Sequence, residues 1–237
     1  TNIIGTSNVI DCAIDNEIKS LVLLSTDKSV YPINAMGMTK GLAEKILISK
    51  SSLNQSLKTN LCITRYGNVM GSRGSVIPLF VNQIKNNQNL TVTDPNMTRF
   101  LMSLSDSIDL VIHAFQKGSQ GDIYIRKSPA TTMNNLALAL IDIFNSNSKI
   151  NIIGTRHGEK LYETLISREE IVRSRETKLY YKIRSDSRDL NYKKYFTDGV
   201  KAIASSLDYN SHNTNQLSFD QLKKTLIKNE FVRENLK

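Results

Sequence analysis

Three adjacent side chains that can take part in proton transfer, Thr26, Asp27 and Lys28, directly follow the apolar run LVLLS. In open parallel α/β sheets, side chains at the carboxyl ends of strands enter the crevice where ligands bind. Burial raises the pKa of a carboxyl group and lowers that of an ammonium group, so a buried Asp-Lys pair can supply an acid and a base. Opposite charges side by side oppose both shifts, which leaves the assignment of the two roles open. Alternatively, Asp27 caps the next helix and Lys28 is a solvated surface residue.

The helix after this pair carries two further candidates. A helix is predicted over residues 34–50, and within it Met36 and Lys40 are one turn apart on a shared face. This spacing places Lys40 on the same side as the carboxyl end of the preceding strand.

Short apolar runs alternate with helical periodicity from residue 1 to about residue 155. This alternation is typical of α/β units around a mostly parallel sheet. Strands are predicted at 21–25, 61–66, 90–94, 122–126 and 150–154. Helices are predicted at 3–18, 34–50, 75–87, 105–117, 132–146 and 158–166, with Thr131 or Thr132 as an N-cap and a last helix that starts near Ser218 and Asp220.

None of the 11 glycines form a G-x-G pair. The dinucleotide-binding fingerprint requires that spacing, because the backbone must turn tightly and approach the pyrophosphate at a helix N-terminus. The 237 residues therefore do not contain this fingerprint.

Charge and composition narrow the classes of partner. The formal net charge of +9 attracts anions, but no run of five or more basic residues occurs and only 7% of residues are aromatic. A nucleic-acid interface is therefore not expected. No segment has the roughly 18 consecutive apolar residues of a membrane span, and no signal peptide is evident, so we expect a cytoplasmic protein.

The remaining reactive side chains suggest no further chemistry. Cys12 and Cys62 lie in apolar periodic segments without a nearby His or second Cys, and both are expected to be buried free thiols. His157 has no second ligand at metal spacing, so no metal is expected.

Six ordered blocks between Thr1 and Lys237 resemble one family. The sequence is similar to the extended short-chain dehydrogenase/reductase family, and within it to the soluble UDP-N-acetylglucosamine 4,6-dehydratases with 5-inverting activity, which serve capsule and O-antigen synthesis. The blocks are STDKSVYPINAMGMTK, RYGNVMGSRGSVIPLF, DPNMTRF, GTRHGEKLYE, RDLNYKKYF and YNSHNT.

The resemblance implies the C-terminal part of a Rossmann-type doubly wound parallel sheet plus a smaller mixed substrate-binding lobe. Residues 1–88 are assigned to the dinucleotide-binding domain, with later segments returning to it, and residues 89–237 mainly to the lobe and a C-terminal extension. Family members carry the fingerprint in about 100 additional N-terminal residues. We therefore expect the chain to be the C-terminal two-thirds of an enzyme, inactive by itself.

The implied reaction uses NADP or NAD. Hydride leaves C4 of the sugar, the resulting ketone acidifies the C5 proton, water is lost from C6, hydride returns to C6, and C5 is reprotonated from the opposite face. We assign the elimination of water to Asp27 and Lys28.

One position departs from the wider family. The tyrosine of the family motif Y-x-x-x-K is replaced by Met36, whose thioether cannot accept a proton, while Lys40 is present. Thr26, polarised by Lys40, is our candidate to deprotonate the 4-hydroxyl. The resemblance also places Thr26, Lys40 and Tyr66 at the nicotinamide end of the cofactor.

The implied substrate is a UDP-N-acetylhexosamine, whose diphosphate suits guanidinium groups and amides. The resemblance assigns the diphosphate to Asn68, Arg99 and Arg156, and the ribose hydroxyls to Glu159. Alternatively, Asn68 is an ordinary turn residue, the arginines are solvated, and Glu159 stabilises a helix dipole.

Two other functions stay open. UDP-glucose 4-epimerases share the 4-keto intermediate but return hydride to C4, and they usually have small residues and the tyrosine where this chain has Asp27, Lys28 and Met36. The non-enzymatic alternative is that this chain, which lacks the fingerprint, is an inactive remnant or an assembly partner. The resemblance further implies a homo-oligomer.

Overall fold

The computed structural model describes residues 1–53, 57–185 and 201–236, so the RDLNYKKYF block lies outside the described residues. The helices are α1 Ile4–Asp15, α2 Ala35–Leu53, α3 Val76–Lys85, α4 Leu104–Lys117, α5 Met133–Ile143, α6 Arg168–Val172, α7 Lys201–Ser205, α8 Phe219–Lys228 and α9 Glu230–Asn235. The strands are β1 Ser20–Thr26, β2 Asn60–Tyr66, β3 Leu90–Val92, β4 Thr98–Phe100, β5 Ile123–Arg126, β6 Ala130–Thr132, β7 Ile150–Ile152, β8 Thr164–Ile166, β9 Ser174–Glu176, β10 Tyr180–Ile183 and β11 Tyr209–Asn210.

The chain divides into two compact units. Unit 1 comprises Thr1–Tyr66, Ile108–Lys127 and Thr164–Tyr209, and unit 2 comprises Gly67–Ser107, Ser128–Glu163 and Asn210–Lys237. Segment 67–88 lies in unit 2 because α3 packs on α5 and β3 there. The functional division after residue 88 stays a prediction, and the compact units do not follow it.

Unit 1 is built on a five-stranded sheet of order β1-β2-β5-β10-β9. Strands β1, β2 and β5 are parallel, and β10 is antiparallel to both β5 and β9. β2 carries a continuous buried run from Leu61 to Arg65, as expected for a strand covered on both faces. This sheet confirms the predicted α/β Rossmann-type fold.

Unit 2 is held by an apolar core under short strands and helices. Helix α3 contributes Ile77, Phe80, Val81 and Ile84, at the three-to-four residue spacing of one helix face. Helices α5, α8 and α9 pack into the same cluster. Thr132 caps α5 by accepting from the Asn135 amide, and Ser218 caps α8 in a capping box, which confirms both predicted starts.

The helix predicted at 158–166 is wrong. The backbone carbonyl of Leu161 accepts from the Thr98 amide at 3.0 Å, and that of Glu163 accepts from the Ser211 amide at 2.8 Å. These long-range bonds hold the segment extended. Gly158, with φ of 78°, lies in the left-handed region just before it.

Cys12 is exposed, which corrects the expectation of two buried thiols, whereas Cys62 is buried and burial raises its pKa to about 11. On α1 the buried positions are Ile10 and Ala13, so Cys12 lies on another face. Among the described residues, no helix combines the length and apolar character needed to cross a membrane.

Candidate functional site

The carboxyl edge of the unit 1 sheet brings two predicted residues together. In the parallel pairing of β1 with β2, Thr26 is the register partner of Tyr66, so both strands end at the same level. A 3₁₀ turn of Asp27–Ser29 follows β1 directly. The turn therefore lies at the sheet edge where open α/β folds bind ligands.

Asp27 is fully buried, and its two carboxylate oxygens differ. Oδ1 accepts from the Thr26 hydroxyl at 2.8 Å and from Nζ of Lys28 at 3.0 Å. Oδ2 is buried without a hydrogen-bond partner among the described residues. Since buried polar atoms are rarely left unpaired, Oδ2 can accept a further hydrogen bond.

The structure does not support the alternative interpretation of this pair. Thr26, not Asp27, caps the 3₁₀ turn, by accepting from the Lys28 amide at 3.4 Å. The Lys28 side chain is only 29% exposed and is ion-paired with Asp27. The carboxylate of Asp27, the ammonium group of Lys28 and the hydroxyl of Thr26 are thus linked in one hydrogen-bonded group.

Helix α2 places Lys40 beside β1, as its spacing predicts. Nζ of Lys40 donates to the Leu24 carbonyl at 3.2 Å, two residues before Thr26. Met36, at the position of the family tyrosine, is 45% exposed. Tyr66 is half-buried, and burial raises the pKa of its phenol, so its hydroxyl stays a hydrogen-bond donor at neutral pH.

Unit 2 contains a cavity of about 280 Å³ that collects all four predicted substrate contacts. The first turn of α3, from Ser75 to Leu79, and apolar residues of β3 and α5 complete its wall. The predicted contacts in the lining are Asn68, Arg99, Arg156 and Glu159. Residues far apart in sequence thus form one pocket with cationic and amide groups.

The two arginines of the pocket differ in how their guanidinium groups are used. Arg99 donates to the backbone carbonyls of Thr98 at 2.8 Å and Lys160 at 2.9 Å, and its Nε lies 3.8 Å from the buried Glu163 carboxylate. Arg156 is exposed. Most of the Arg99 donors are therefore used within the protein, and the assignment of both arginines to the diphosphate stays a prediction.

The structure does not support the alternative interpretations of Asn68 as an ordinary turn residue and of Glu159 as a residue at a helix start. The side-chain carbonyl of Asn68 is buried without a partner among the described residues, unlike that of a solvated turn residue. Glu159 does not start a helix, so its proposed interaction with a helix dipole is wrong. Its carboxylate instead accepts from the Arg156 amide at 3.5 Å.

Sequence reasoning missed a buried ionic cluster of Glu44, Arg65 and Glu170 in unit 1. The available signal was an arginine inside the apolar strand LCITRY, because a buried arginine needs carboxylate partners. Within the described residues, no group of three His, Cys, Asp or Glu side chains is arranged to hold a metal ion.

The chain matches two family models in succession. Residues 1–185 match the model described as polysaccharide biosynthesis protein, and residues 186–233 match the model described as polysaccharide biosynthesis protein C-terminal. A Rickettsia rickettsii (strain Sheila Smith) protein named UDP-glucose 4-epimerase is 56% identical over 237 residues, which are 100% of this chain and 70% of that protein.

Two solved structures share the fold. The X-ray structure of Pen from Bacillus thuringiensis has a TM-score of 0.83 at 37% identity, covering 96% of this chain and 67% of that one. DesIV, a dTDP-glucose 4,6-dehydratase from Streptomyces venezuelae with NAD and TYD bound, has a TM-score of 0.62 at 22% identity, covering 68% and 55%. The second likeness shows the fold alone.

Proposed function

Because the chain belongs to the polysaccharide biosynthesis protein family of nucleotide-sugar-modifying enzymes, we propose that it is part of a UDP-N-acetylglucosamine 4,6-dehydratase with 5-epimerisation. Its product would be a precursor of a surface polysaccharide. The observation that carries this proposal is the Asp27–Lys28 ion pair at the carboxyl end of β1. Loss of water needs an acid and a base at the sugar, which the pair supplies.

The unit 2 cavity is the proposed nucleotide site. Arg156 and the amide of Asn68 would contact the UDP diphosphate, and Glu159 would accept hydrogen bonds from the ribose hydroxyls. Arg99 borders the same cavity and mainly shapes it, since its donors are shared with backbone carbonyls. The apolar lining from α3, β3 and α5 suits a flat base.

A nicotinamide cofactor fits the carboxyl edge of unit 1, and NAD is present in the DesIV structure. Thr26, Tyr66 and Lys40 would hold its nicotinamide end, because the first two share a register level and the third lies beside β1. When bound, the cofactor accepts and returns hydride. The G-x-G cradle for its pyrophosphate is not among the 237 residues.

The chain's own groups would perform the proton transfers. Thr26 donates to Asp27, so a proton taken from the sugar 4-hydroxyl can be relayed to that carboxylate. Asp27 and Lys28 then serve the removal of the C5 proton and the departure of the 6-hydroxyl. Met36 cannot exchange a proton, so the proton transfers would depend on Thr26, Asp27 and Lys28.

A 4-epimerase is the second candidate, favoured by the name of the Rickettsia relative at 56% identity. Epimerisation at C4 requires deprotonation of the 4-hydroxyl but neither a C5 base nor an acid for a leaving hydroxyl. Asp27 would then serve only the relay from the 4-hydroxyl and its partner Lys28 would have no step to perform, and for that reason we place elimination first.

Product analysis tests the proposal. The chain is assayed alone and after fusion to an N-terminal segment of about 100 residues from a family relative, which supplies the dinucleotide fingerprint. With UDP-N-acetylglucosamine, the fusion should yield a product that has lost one water and shows a 6-methyl proton signal. Conversion of UDP-glucose to its C4 epimer without water loss would instead establish the epimerase, and no turnover of either substrate would reject both.

A further inference from the structure

Unit 1 buries three charges that the proposed chemistry does not use. The side chains of Arg65 and Glu44 are 3% and 4% exposed, and that of Glu170 is 14% exposed. Burying an ion pair costs several kcal/mol per charge before attraction offsets it, and apolar replacements are often equally stable. Fold stability alone is therefore a weak reason for such a cluster.

Arg65 uses its whole guanidinium group within the protein. Nε and Nη2 bind the two Glu44 oxygens at 3.1 and 2.6 Å, and Nη1 and Nη2 bind Glu170 at 2.9 and 3.0 Å. The remaining Nη1 donor reaches the Leu165 carbonyl at 2.8 Å. All five N–H donors are occupied, so Arg65 has none left for a substrate phosphate.

Glu44 connects this cluster to the Asp27–Ser29 turn. Its Oε1 accepts from the hydroxyls of Ser25 and Ser29, the residues on either side of Thr26, Asp27 and Lys28. The Ser29 hydroxyl also lies 2.6 Å from the Thr26 carbonyl, so its single proton is shared between two acceptors. One carboxylate thus contacts both ends of the turn.

Helix α2 carries Glu44 against the turn at close range. A Cβ at Gly41 would lie 3.2 Å from the Ser29 carbonyl, and one at Gly37 only 2.3 Å from the Lys28 carbonyl. The backbones of α2 and the turn are therefore in direct contact. Arg65 in turn fixes the side-chain conformation of Glu44 through two parallel hydrogen bonds.

We propose that Glu44 is a positioning residue that, held by Arg65, fixes the Asp27–Ser29 turn through Ser25 and Ser29. The inference rests on the proposed function only for the chemical role of that turn. The geometry of the turn can be measured independently of any activity.

Hydrogen exchange on the 237-residue chain tests the positioning. Ser29→Ala removes one link and leaves the Arg65–Glu44 pair intact. Glu44→Gln weakens both links, because an amide oxygen is a poorer acceptor than a carboxylate, and leaves Arg65 half-paired. In both variants the amides of Lys28 and Val30 should exchange at least about tenfold faster, while the Ile63 amide of β2 should be unchanged. Glu17→Gln, which removes an exposed ion pair with Lys58, is the control and should change none of these amides.

Glu44→Gln can unfold the unit because it leaves a buried charge, so Ser29→Ala decides the result. Unchanged protection of Lys28 and Val30 in Ser29→Ala would overturn the proposal. Equal loss of protection at Ile63 would also overturn it, because it would indicate a general structural role.

Kinetics of the fusion with an N-terminal segment then separate positioning from function. Ser29→Ala should lower kcat by at least about tenfold with KM nearly unchanged, since misplacement of a reacting group affects chemistry more than binding. An unchanged kcat in an active fusion would contradict the positioning role. An inactive wild-type fusion would reject the proposed function, while the exchange result would still decide the positioning.

Discussion

Arg99 and Arg156 line the same cavity, but their guanidinium groups have different environments. Arg99 is bonded to the backbone carbonyls of Thr98 and Lys160 and lies near Glu163, whereas Arg156 is exposed at the cavity. A guanidinium group that already satisfies carbonyls contributes to the shape of a site. An exposed one is available to a diphosphate.

We therefore expect Arg156→Ala to weaken UDP binding by about tenfold or more without lowering Tm, because it removes a charge-assisted contact. Arg99→Ala should lower Tm, because it removes the guanidinium donors to the Thr98 and Lys160 carbonyls and leaves Glu163 with less compensation. Calorimetric UDP titration and thermal unfolding measure the two effects, with the exposed Arg73→Ala as the control. Weaker UDP binding by Arg99→Ala at unchanged Tm would show that Arg99 is a direct ligand.

The catalytic assignment predicts a separation of turnover from binding. In the fusion enzyme, Asp27→Asn and Lys28→Ala should each reduce kcat by at least about 10², the usual effect of losing an acid or base. UDP affinity should stay nearly intact, because the proposed nucleotide contacts lie in the unit 2 cavity. Lys58→Ala, at a lysine whose side chain is 70% exposed, serves as the control. Normal turnover in either turn variant would contradict the assignment.

At the scale of secondary structure elements, Gly37 determines how α2 meets the turn after β1. A Cβ at this position would lie 2.3 Å from the Lys28 carbonyl, a distance that requires the backbone to move. Gly5 in α1 has no heavy atom within 4 Å of the corresponding Cβ position. The two glycines form a matched pair for substitution.

Gly37→Ala should therefore lower Tm and displace the turn, with a loss of turnover in the fusion enzyme. Gly5→Ala should leave turnover unchanged and stabilise the chain by up to about 1 kcal/mol, the difference in helix propensity between Ala and Gly. Differential scanning calorimetry of both variants measures this contrast. A Gly37→Ala variant as stable as wild type would show that α2 does not depend on this close approach.

Glu170 of helix α6 makes the stability of the buried ionic cluster depend on pH. Burial alone would raise the pKa of Glu170, but Arg65 and the capping bonds with Ser167 lower it to about 2. A carboxyl group whose pKa is lowered in the folded state stabilises the protein above its unfolded pKa. This stabilisation is lost as the pH falls from about 4.5 toward 2.

Urea unfolding between pH 7 and pH 2 tests this linkage, with closely spaced measurements at about pH 4.5 and below. Wild-type stability should fall more steeply than that of Glu170→Gln in this acidic window. Glu169→Gln, at the exposed neighbour in the same helix, should follow the wild-type profile. Parallel profiles for wild type and Glu170→Gln would mean that the pair adds no stability linked to protonation.

At the scale of the whole molecule, exposed apolar side chains indicate self-association. On α4, Ile108, Ile112 and Phe115 recur at helical spacing and are about half exposed, at 50%, 48% and 51%. On α1, Ile4 and Val9 are 73% and 61% exposed. Large exposed apolar patches are uncommon on monomers, and several exposed apolar side chains on one helix face can form one.

We expect the 237-residue chain to self-associate with rising concentration, as sedimentation velocity would show. Ile108→Glu combined with Phe115→Glu should reduce the association without lowering Tm, because neither side chain is buried in the chain itself. Ile4→Glu with Val9→Glu tests the α1 surface in the same way. A monomer at all concentrations would contradict the prediction of self-association.

The sequence alone was sufficient for the parallel α/β sheet and the residues at its carboxyl edge. LCITRY forms a buried strand as its apolar run predicts, whereas the apolar residues of LVLLS are at most partly buried in β1. Both runs form strands, which puts Thr26 at the end of β1 and Asp27 and Lys28 directly after it. Thr132 and Ser218 start helices through local capping bonds. Such features depend on neighbours in sequence, so sequence patterns reveal them.

Only the tertiary structure decided features that depend on distant residues. The bonds from Thr98 and Ser211 keep 161–163 extended, although the periodicity there predicts a helix. The same long-range packing occupies the Arg99 donors and joins Glu44, Arg65 and Glu170, which are separated by 21 and 105 residues. A hydrogen bond across that separation leaves no local pattern, because its partners are selected by the fold rather than by spacing along the chain.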